Sequence, residues 1–286
     1  MKCLRNLSDG GLHVAEIRVI PLKFRNKVLP GDNWLSKIIS CLNDLQLSLM
    51  DGDVLVISAK VVSIAEGLAV KLSSIQPTNK ARELAKLYSM DPHFTQLVLD
   101  EADFVVGGVK GALLTVKRGI FIANAGVDLS NAPPGCAVPW PRDPDGSAFK
   151  AWQTLKNEYC CSSLGVILSD SRVQPLRLGT TGVAIATCGF QPVIDLRGRK
   201  DLFNRPLKIK QLALADLLAS AAILAMGEAS ELTPAALIRG VQITPVDGCT
   251  SRQTFISPKE CLFSSLYPSF LEEASSCKVH LPGKWP

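Results

Sequence analysis

The sequence is short of the groups from which many common sites are built. It has three histidines in 286 residues, His13, His93 and His280, too scattered for a histidine-rich metal centre. No Gly-Lys-Ser/Thr triplet exists, which excludes a Walker phosphate loop, and no Gly-x-Gly-x-x-Gly opens a helix. Any nucleotide is therefore held by another architecture. No apolar run is long enough to span a bilayer, and no arginine-rich run or aromatic-basic stripe points to nucleic acid. Met1–Asn6 lack the apolar core of a signal peptide. The expectation is a cytoplasmic protein with neither membrane nor nucleic-acid partners. The nine cysteines are odd in number and contain no Cys-x-x-Cys, so they are expected to be reduced thiols, several of them in the core. No repeat and no linker divides the chain. What remains is 47% hydrophobic content, enough for one large domain or two smaller ones, and a net charge of +5, which favours small anionic ligands.

The stretch around which the chain is organised is Gly165-Val166-Ile167-Leu168-Ser169-Asp170-Ser171. A short apolar run reads as a buried strand, and groups at its end project into a crevice where ligands sit. The adjacent carboxylate and hydroxyl suit a hard cation such as Mg2+ or Mn2+. On this stretch alone they more readily suit a plain strand followed by a turn with a capping Asp. Arg177 and Gly179 follow, a fixed positive charge and a residue that lets a ligand approach the backbone.

Two more strand ends share this character. Val54 to Ile57 reads as a buried strand ending on Ser58-Ala59-Lys60, where Lys60 suits either a phosphate contact or a solvated loop. Ala112 to Val116 and Ile120 to Ala123 read as a hairpin turning at Lys117-Arg118-Gly119, whose second strand runs into Asp128 and Asn131. Around them, Val14 to Leu22 reads as a strand. Leu35, Ile38, Ile39, Leu42 and Leu45 form a helix capped by Asp32 or Asn33. Lys80–Tyr88 and Phe94–Leu99 read as helices broken near Pro92, and Ala148–Tyr159 as a helix beyond a proline-rich loop ordered around Trp140. Val183–Thr187 and Ala235–Ile238 read as strands. Gln211–Met226 reads as the central buried helix, its alanines allowing close packing, stopped by Gly227. Asp216 within it needs a partner if buried, and Glu228 just beyond is free to reach a site. From Thr250 on only short elements are discernible. Pattern alone stops at metal-assisted anion chemistry.

The ordered set of motifs takes the reading further. Gly52-Asp53-Val54-Leu55-Val56 with Lys60-Val61-Val62-Ser63, then Ala125-Gly126-Val127-Asp128-Leu129-Ser130-Asn131, then Asp170-Ser171 with Arg177 and Gly179, come first. Ala215-Asp216, Ala219-Ser220-Ala221-Ala222, Met226-Gly227-Glu228 and Ile238-Arg239-Gly240 complete it. Together they resemble the coenzyme F420-0:γ-glutamyl ligase family. The resemblance implies an α+β fold of mixed sheets and packed helices over residues 14–242, with 243–286 as an extension packed on it, and a homodimer. It implies joining L-glutamate by an amide bond to a carboxylate of a heterocyclic cofactor precursor. GTP or ATP is consumed, and Mg2+ or Mn2+ is required. By motif position Asp128, Asp170, Ser171 and Glu228 would hold the metal. Asp128, Asp170 and Arg177 would serve catalysis, and Leu22, Lys23, Ser58, Lys60, Asn131 and Glu228 would face the nucleotide. Phosphoryl transfer turns the acceptor carboxylate into an acyl phosphate that the amine then attacks, so charge neutralisation and positioning suffice.

Three positions depart from the family pattern: Ala59 in place of a serine, Ile64 in place of a lysine, and Val173-Gln174 in place of Gly-Arg. The lost charges would have met phosphates or an anionic acceptor. Two acceptors are therefore carried, an F420-0-type deazaflavin and a pterin such as dihydropteroate, as in folate synthesis by a dihydrofolate synthase. The alternative is a homologue that binds nucleotide or cofactor without catalysis.

Overall fold

Runs bounded by turn residues become strands, and runs of period 3.6 become helices, because each buries one or both faces. The computed structural model describes residues 16–267. In chain order these form β1 (Arg18–Leu22), α1 (Trp34–Asp44), β2 (Asp53–Ser58), α2 (Ala59–Ala65), β3 (Val70–Lys71), α3 (Asn79–Tyr88) and α4 (Pro92–Glu101). Then come β4 (Phe104–Val109), β5 (Ala112–Lys117), β6 (Ile120–Ala123), β7 (Cys136–Ala137), α5 (Pro144–Glu158), β8 (Leu164–Val173) and β9 (Thr180–Phe190). Last are β10 (Ile194–Asp195), β11 (Gln211–Leu212), α6 (Leu214–Met226), β12 (Ala235–Arg239) and β13 (Pro245–Cys249). The architecture is α+β with several sheets.

The principal sheet has the order β1-β12-β2-β8-β9-β13. Only β2 and β8 run parallel within it, with Asp53 opposite Leu164 and Ser58 opposite Ser169. Leu55, Ile57, Val166, Leu168 and Leu237 point into a core shared with α1 and α5. Val54, Val56, Ile167 and Ile238 point into a second core under α6. Successive residues of β2 thus enter opposite cores, which is why the strand reads as an unbroken apolar run. A smaller unit, β4-β5-β6 with α3 and α4, packs Phe94, Leu97 and Val98 against Leu113 and Val127.

Several expectations need correction. Strand β8 does not end on the acid: it continues through Asp170 and Ser171, paired with Val183 and Gly182, to Val173. The apolar run stops at Leu168 because the neighbouring β2 stops one residue later, opposite Ser169. Beyond that point only the β8–β9 ribbon continues. Helix α6 begins at Leu214 and is not buried all round, since Leu217 is 51% and Leu224 89% exposed. Its alanines do admit a close neighbour: a Cβ on Gly182 would run into the Ala219 carbonyl. Pro92 opens α4 instead of breaking a helix, with the Asp91 carboxylate accepting from His93 and Phe94 N–H. Helix α5 starts at Pro144 behind the cap Asp143, and Asn33, not Asp32, caps α1. Strand β13 was not expected. Val14 lies outside the described residues, as do Cys3, Cys277, His13 and His280. Cys188 and Cys249 are joined in a disulfide that ties β13 to β9, against the expectation of thiols throughout; Cys41, Cys136, Cys160, Cys161 and Cys261 are free. Among the described residues no helix is long and apolar enough to cross a membrane.

Asp216 is only half-buried, and its carboxylate finds two partners. Leu168 faces Ala186 while Ser169 faces Ala184, so β9 carries one extra residue at a bulge. The Ala184 N–H released there donates to Asp216 Oδ1 at 3.0 Å, and Arg172 Nη2 donates to Oδ2 at 3.0 Å. The ribbon that carries Asp170 and Ser171 is thereby clamped to α6.

Candidate functional site

Three separated segments meet where β2 ends and the β8–β9 ribbon continues. Strand β2 passes directly into α2 at Ser58, and Lys60 lies in the first turn of that helix. Its ammonium binds Asp128 Oδ2 and also donates to the carbonyl and hydroxyl oxygens of Ser130, each at 3.0 Å. Asp128 is fixed by a short bridge to Val138 and by an Asx turn, in which Ser130 N–H donates to Oδ1 at 2.7 Å. Asn131, in the left-handed region at φ 54°, donates from Nδ2 to the Ala229 carbonyl at 2.6 Å. This joins the second segment to the chain just past α6.

The third group is Asp170. Its Oδ2 accepts the Trp140 indole N–H at 2.6 Å. Burial pushes its carboxyl up; the Trp140 and Ser171 donors and the Lys60 charge oppose this, and the Asp128 carboxylate adds to it. Asp128 goes the other way. Burial would raise it, but the Lys60 ammonium and the Ser130 donors outweigh burial and hold it below the usual carboxylate range. Two neighbouring carboxyls are thus driven apart by environment, with one fixed cation between the segments. Ser171, the next residue along β8, donates to Glu228 Oε1, and Thr180 of β9 donates to Oε2 at 2.7 Å. Glu228 reaches them because Gly227 ends α6 with φ 72°.

The structure therefore brings Lys60, Asp128 and Asp170 into mutual influence, and Ser171 onto Glu228. Ile64 lies one turn after Lys60 on α2, half-buried. Leu22 is fully buried in the core, so only its backbone can serve a ligand. Lys23 is exposed and lines a concavity with Arg25, Lys37 and Cys41. Arg177 lies on the exposed connection between β8 and β9. Ser130, Trp140 and Thr180 were missed as site residues. Ser130 lies within the Ala125–Asn131 motif and Trp140 within the proline-rich loop it orders; nothing in the local sequence marks Thr180.

The donors Asp128, Asp170, Ser171 and Glu228 are all hard oxygens, the chemistry of Mg2+ or Mn2+. Among the described residues no three His, Cys, Asp or Glu side chains converge closely enough to hold an ion as they stand. Asp128 is taken by Lys60, and Glu228 by Ser171 and Thr180. The fit rests on the chemistry of this oxygen donor set and on Asp170, whose Oδ2 is oriented by the Trp140 indole N–H.

A profile of the family described as F420-0:Gamma-glutamyl ligase matches residues 25–240. The coenzyme F420:L-glutamate ligase of Methanopyrus kandleri is 43% identical over 234 residues, 82% of this chain and 90% of that protein. The proteins of that name from Methanothermobacter thermautotrophicus and Methanocaldococcus jannaschii are 41% and 39% identical, over 73% and 75% of this chain and 83% and 85% of their own lengths.

Proposed function

The chain belongs to the F420-0:γ-glutamyl ligase family, and on that premise we propose that it is a ligase joining L-glutamate, through its amine, to a carboxylate of an F420 precursor. The observation that carries this reading is the meeting of Lys60, Asp128 and Asp170 at one sheet end, two carboxyls with opposed environments and a cation beside them. A carboxylate resists an amine until one oxygen becomes a leaving group, and phosphoryl transfer from GTP or ATP supplies that. Asp128, Asp170, Ser171 and Glu228 would hold Mg2+ or Mn2+, with Asp128 and Glu228 exchanging their present partners. When bound, that cation offsets phosphate charge. Lys60 and Lys23 supply fixed positive charge for the triphosphate. Ser58, Asn131, the Leu22 backbone and Arg177 complete the anion contacts. Without the cation, Asp128 and Ser130 hold Lys60 at the sheet end.

The relatives' names speak for a deazaflavin acceptor and lend no support to a pterin. The test is phosphate release on incubation with glutamate, Mg2+ or Mn2+, GTP or ATP, and either F420-0 or dihydropteroate. Release that requires both glutamate and F420-0 is expected; release with neither acceptor would leave only the non-catalytic binding homologue. In the same assay ATP is expected to serve at least as well as GTP, because Ile64 offers neither charge nor hydrogen bond. Ile64→Lys should shift the ratio toward GTP by about tenfold, the worth of one charged hydrogen bond. GTP selectivity already present and unmoved by the change would refute the role of this position.

We further propose that two chains pair. Leu176 and Leu178 on the β8–β9 connection are fully exposed, and Leu202, Phe203 and Ile209 are 99%, 77% and 89% exposed. Sedimentation is expected to give twice the chain mass; a single-chain mass at micromolar concentration would remove this proposal.

A further inference from the structure

We propose that Trp140 is a positioning residue for the cation-binding carboxylate, fixing Asp170 through its indole N–H and setting it relative to Asp128. The inference rests on the metal reading given above. Trp140 is 4% exposed, and its Nε1 donates to Asp170 Oδ2 at 2.6 Å. A hydrogen bond of this kind to a carboxylate is short and orienting, and it commits one of the two acidic oxygens. The ring reaches Asp170 only because Gly126 has no side chain: a Cβ there would collide with Nε1, Cε2 and Cδ1 of the indole. Gly126 is two residues before Asp128, so one ring spans both acid-bearing segments.

The ring is itself held. Lys117, 9% exposed, places its ammonium 5.4 Å from the ring centroid, and that ammonium binds Glu101 of α4 at 2.5 Å. A continuous chain of polar contacts thus runs from Glu101 through Lys117 and Trp140 to Asp170.

The full-length protein, free of substrates, is titrated with Mn2+ while unbound Mn2+ is read by electron paramagnetic resonance. Trp140→Phe keeps an aromatic ring under Lys117 and removes the N–H. It is expected to weaken Mn2+ binding about tenfold or more, as loss of an outer partner of a ligand does, while circular dichroism and a melting curve report a folded chain. Mn2+ affinity within twofold of the unmodified protein would overturn the inference and leave the metal reading standing, provided Asp170→Asn abolishes binding in the same titration. Failure of the unmodified protein to bind Mn2+ would overturn both. Should Trp140→Phe not fold, the indole N–H resonances of the unmodified protein decide. The Trp140 signal, identified by elimination with Trp34→Phe, Trp152→Phe and Trp285→Phe, should move as Mg2+ is added, and a Trp140 signal indifferent to Mg2+ refutes the proposal.

Discussion

Asp170→Asn is expected to abolish ligation while leaving the fold as stable as before, or slightly more so. The carboxyl is pushed up by burial and by the neighbouring Asp128. A carboxyl that titrates higher folded than unfolded contributes stability below its unfolded pKa and loses it as pH rises through the folded one. At neutral pH without metal, removing its charge therefore relieves a cost. Asparagine also keeps the shape and an oxygen for the Trp140 N–H. Turnover behaves differently, because the amide removes one of the negative charges that would balance a divalent cation. Losing several kcal/mol of charge stabilisation corresponds to roughly a thousandfold or more in rate. Asp128→Asn should cost a similar factor, and the double variant little beyond either, since the two acids serve one unit. Steady-state phosphate release beside a melting curve tests both halves. Near-normal turnover by Asp170→Asn with unaltered metal dependence would refute the site assignment.

Arg239→Met is expected to give the largest loss of stability outside the hydrophobic cores. Asp53, 1% exposed, opens β2, and Arg239 closes β12 alongside it. The guanidinium donates from Nε to Oδ1 at 2.9 Å and from Nη2 to Oδ2 at 2.7 Å, and also to the Ser48 carbonyl at 2.8 Å. Without it, the buried carboxylate keeps only the Met50 N–H at 2.9 Å. Breaking such a pair from one side costs about 3–5 kcal/mol, because an uncompensated charge stays buried. Replacing both partners by apolar residues should cost much less. Urea denaturation of the single and double variants measures the difference. A single variant within 1 kcal/mol of the unmodified protein, on the order of an ordinary surface change, would show that water reaches Asp53.

The elements were legible where local pattern and tertiary setting agree. Helix α1 shows its stripe, and the β5–β6 hairpin shows its turn. Strand β2 shows an apolar run because both of its faces are covered. The length of β8 was not legible, since its apolar stretch reports where β2 stops covering it and not where its own ladder ends. Strand β13, Pro-Val-Asp-Gly-Cys, carries almost no strand signal; it is held by the Cys188–Cys249 bond and by β9. An odd set of nine cysteines does not reveal which two meet. At the candidate site, Lys60, Asp128, Asp170 and Glu228 stand in motifs that the chain order carries, Asp170 within β8 just past its apolar run and the others where an element begins or ends. Trp140 could not be tied to Asp170, since thirty residues separate them and nothing local to either predicts the contact.

The position of β12 between β1 and β2 constrains the order in which the protein can be made. Synthesis proceeds from the N-terminus; β1 pairs only with a strand that begins at Ala235, and β2 pairs with that strand and with β8. Until the ribosome has passed that point, β1 has no neighbour and β2 can be bordered on one side only, by β8. The contacts available sooner are the local ones of α3 with α4 and of β4, β5 and β6. The segment between residues 79 and 123, rich in such local contacts, is thus suited to order early in synthesis. The sheet that carries Lys60 and Asp170 closes last, and a message truncated before codon 235 yields a chain in which β1 has no sheet partner and one edge of β2 is unpaired.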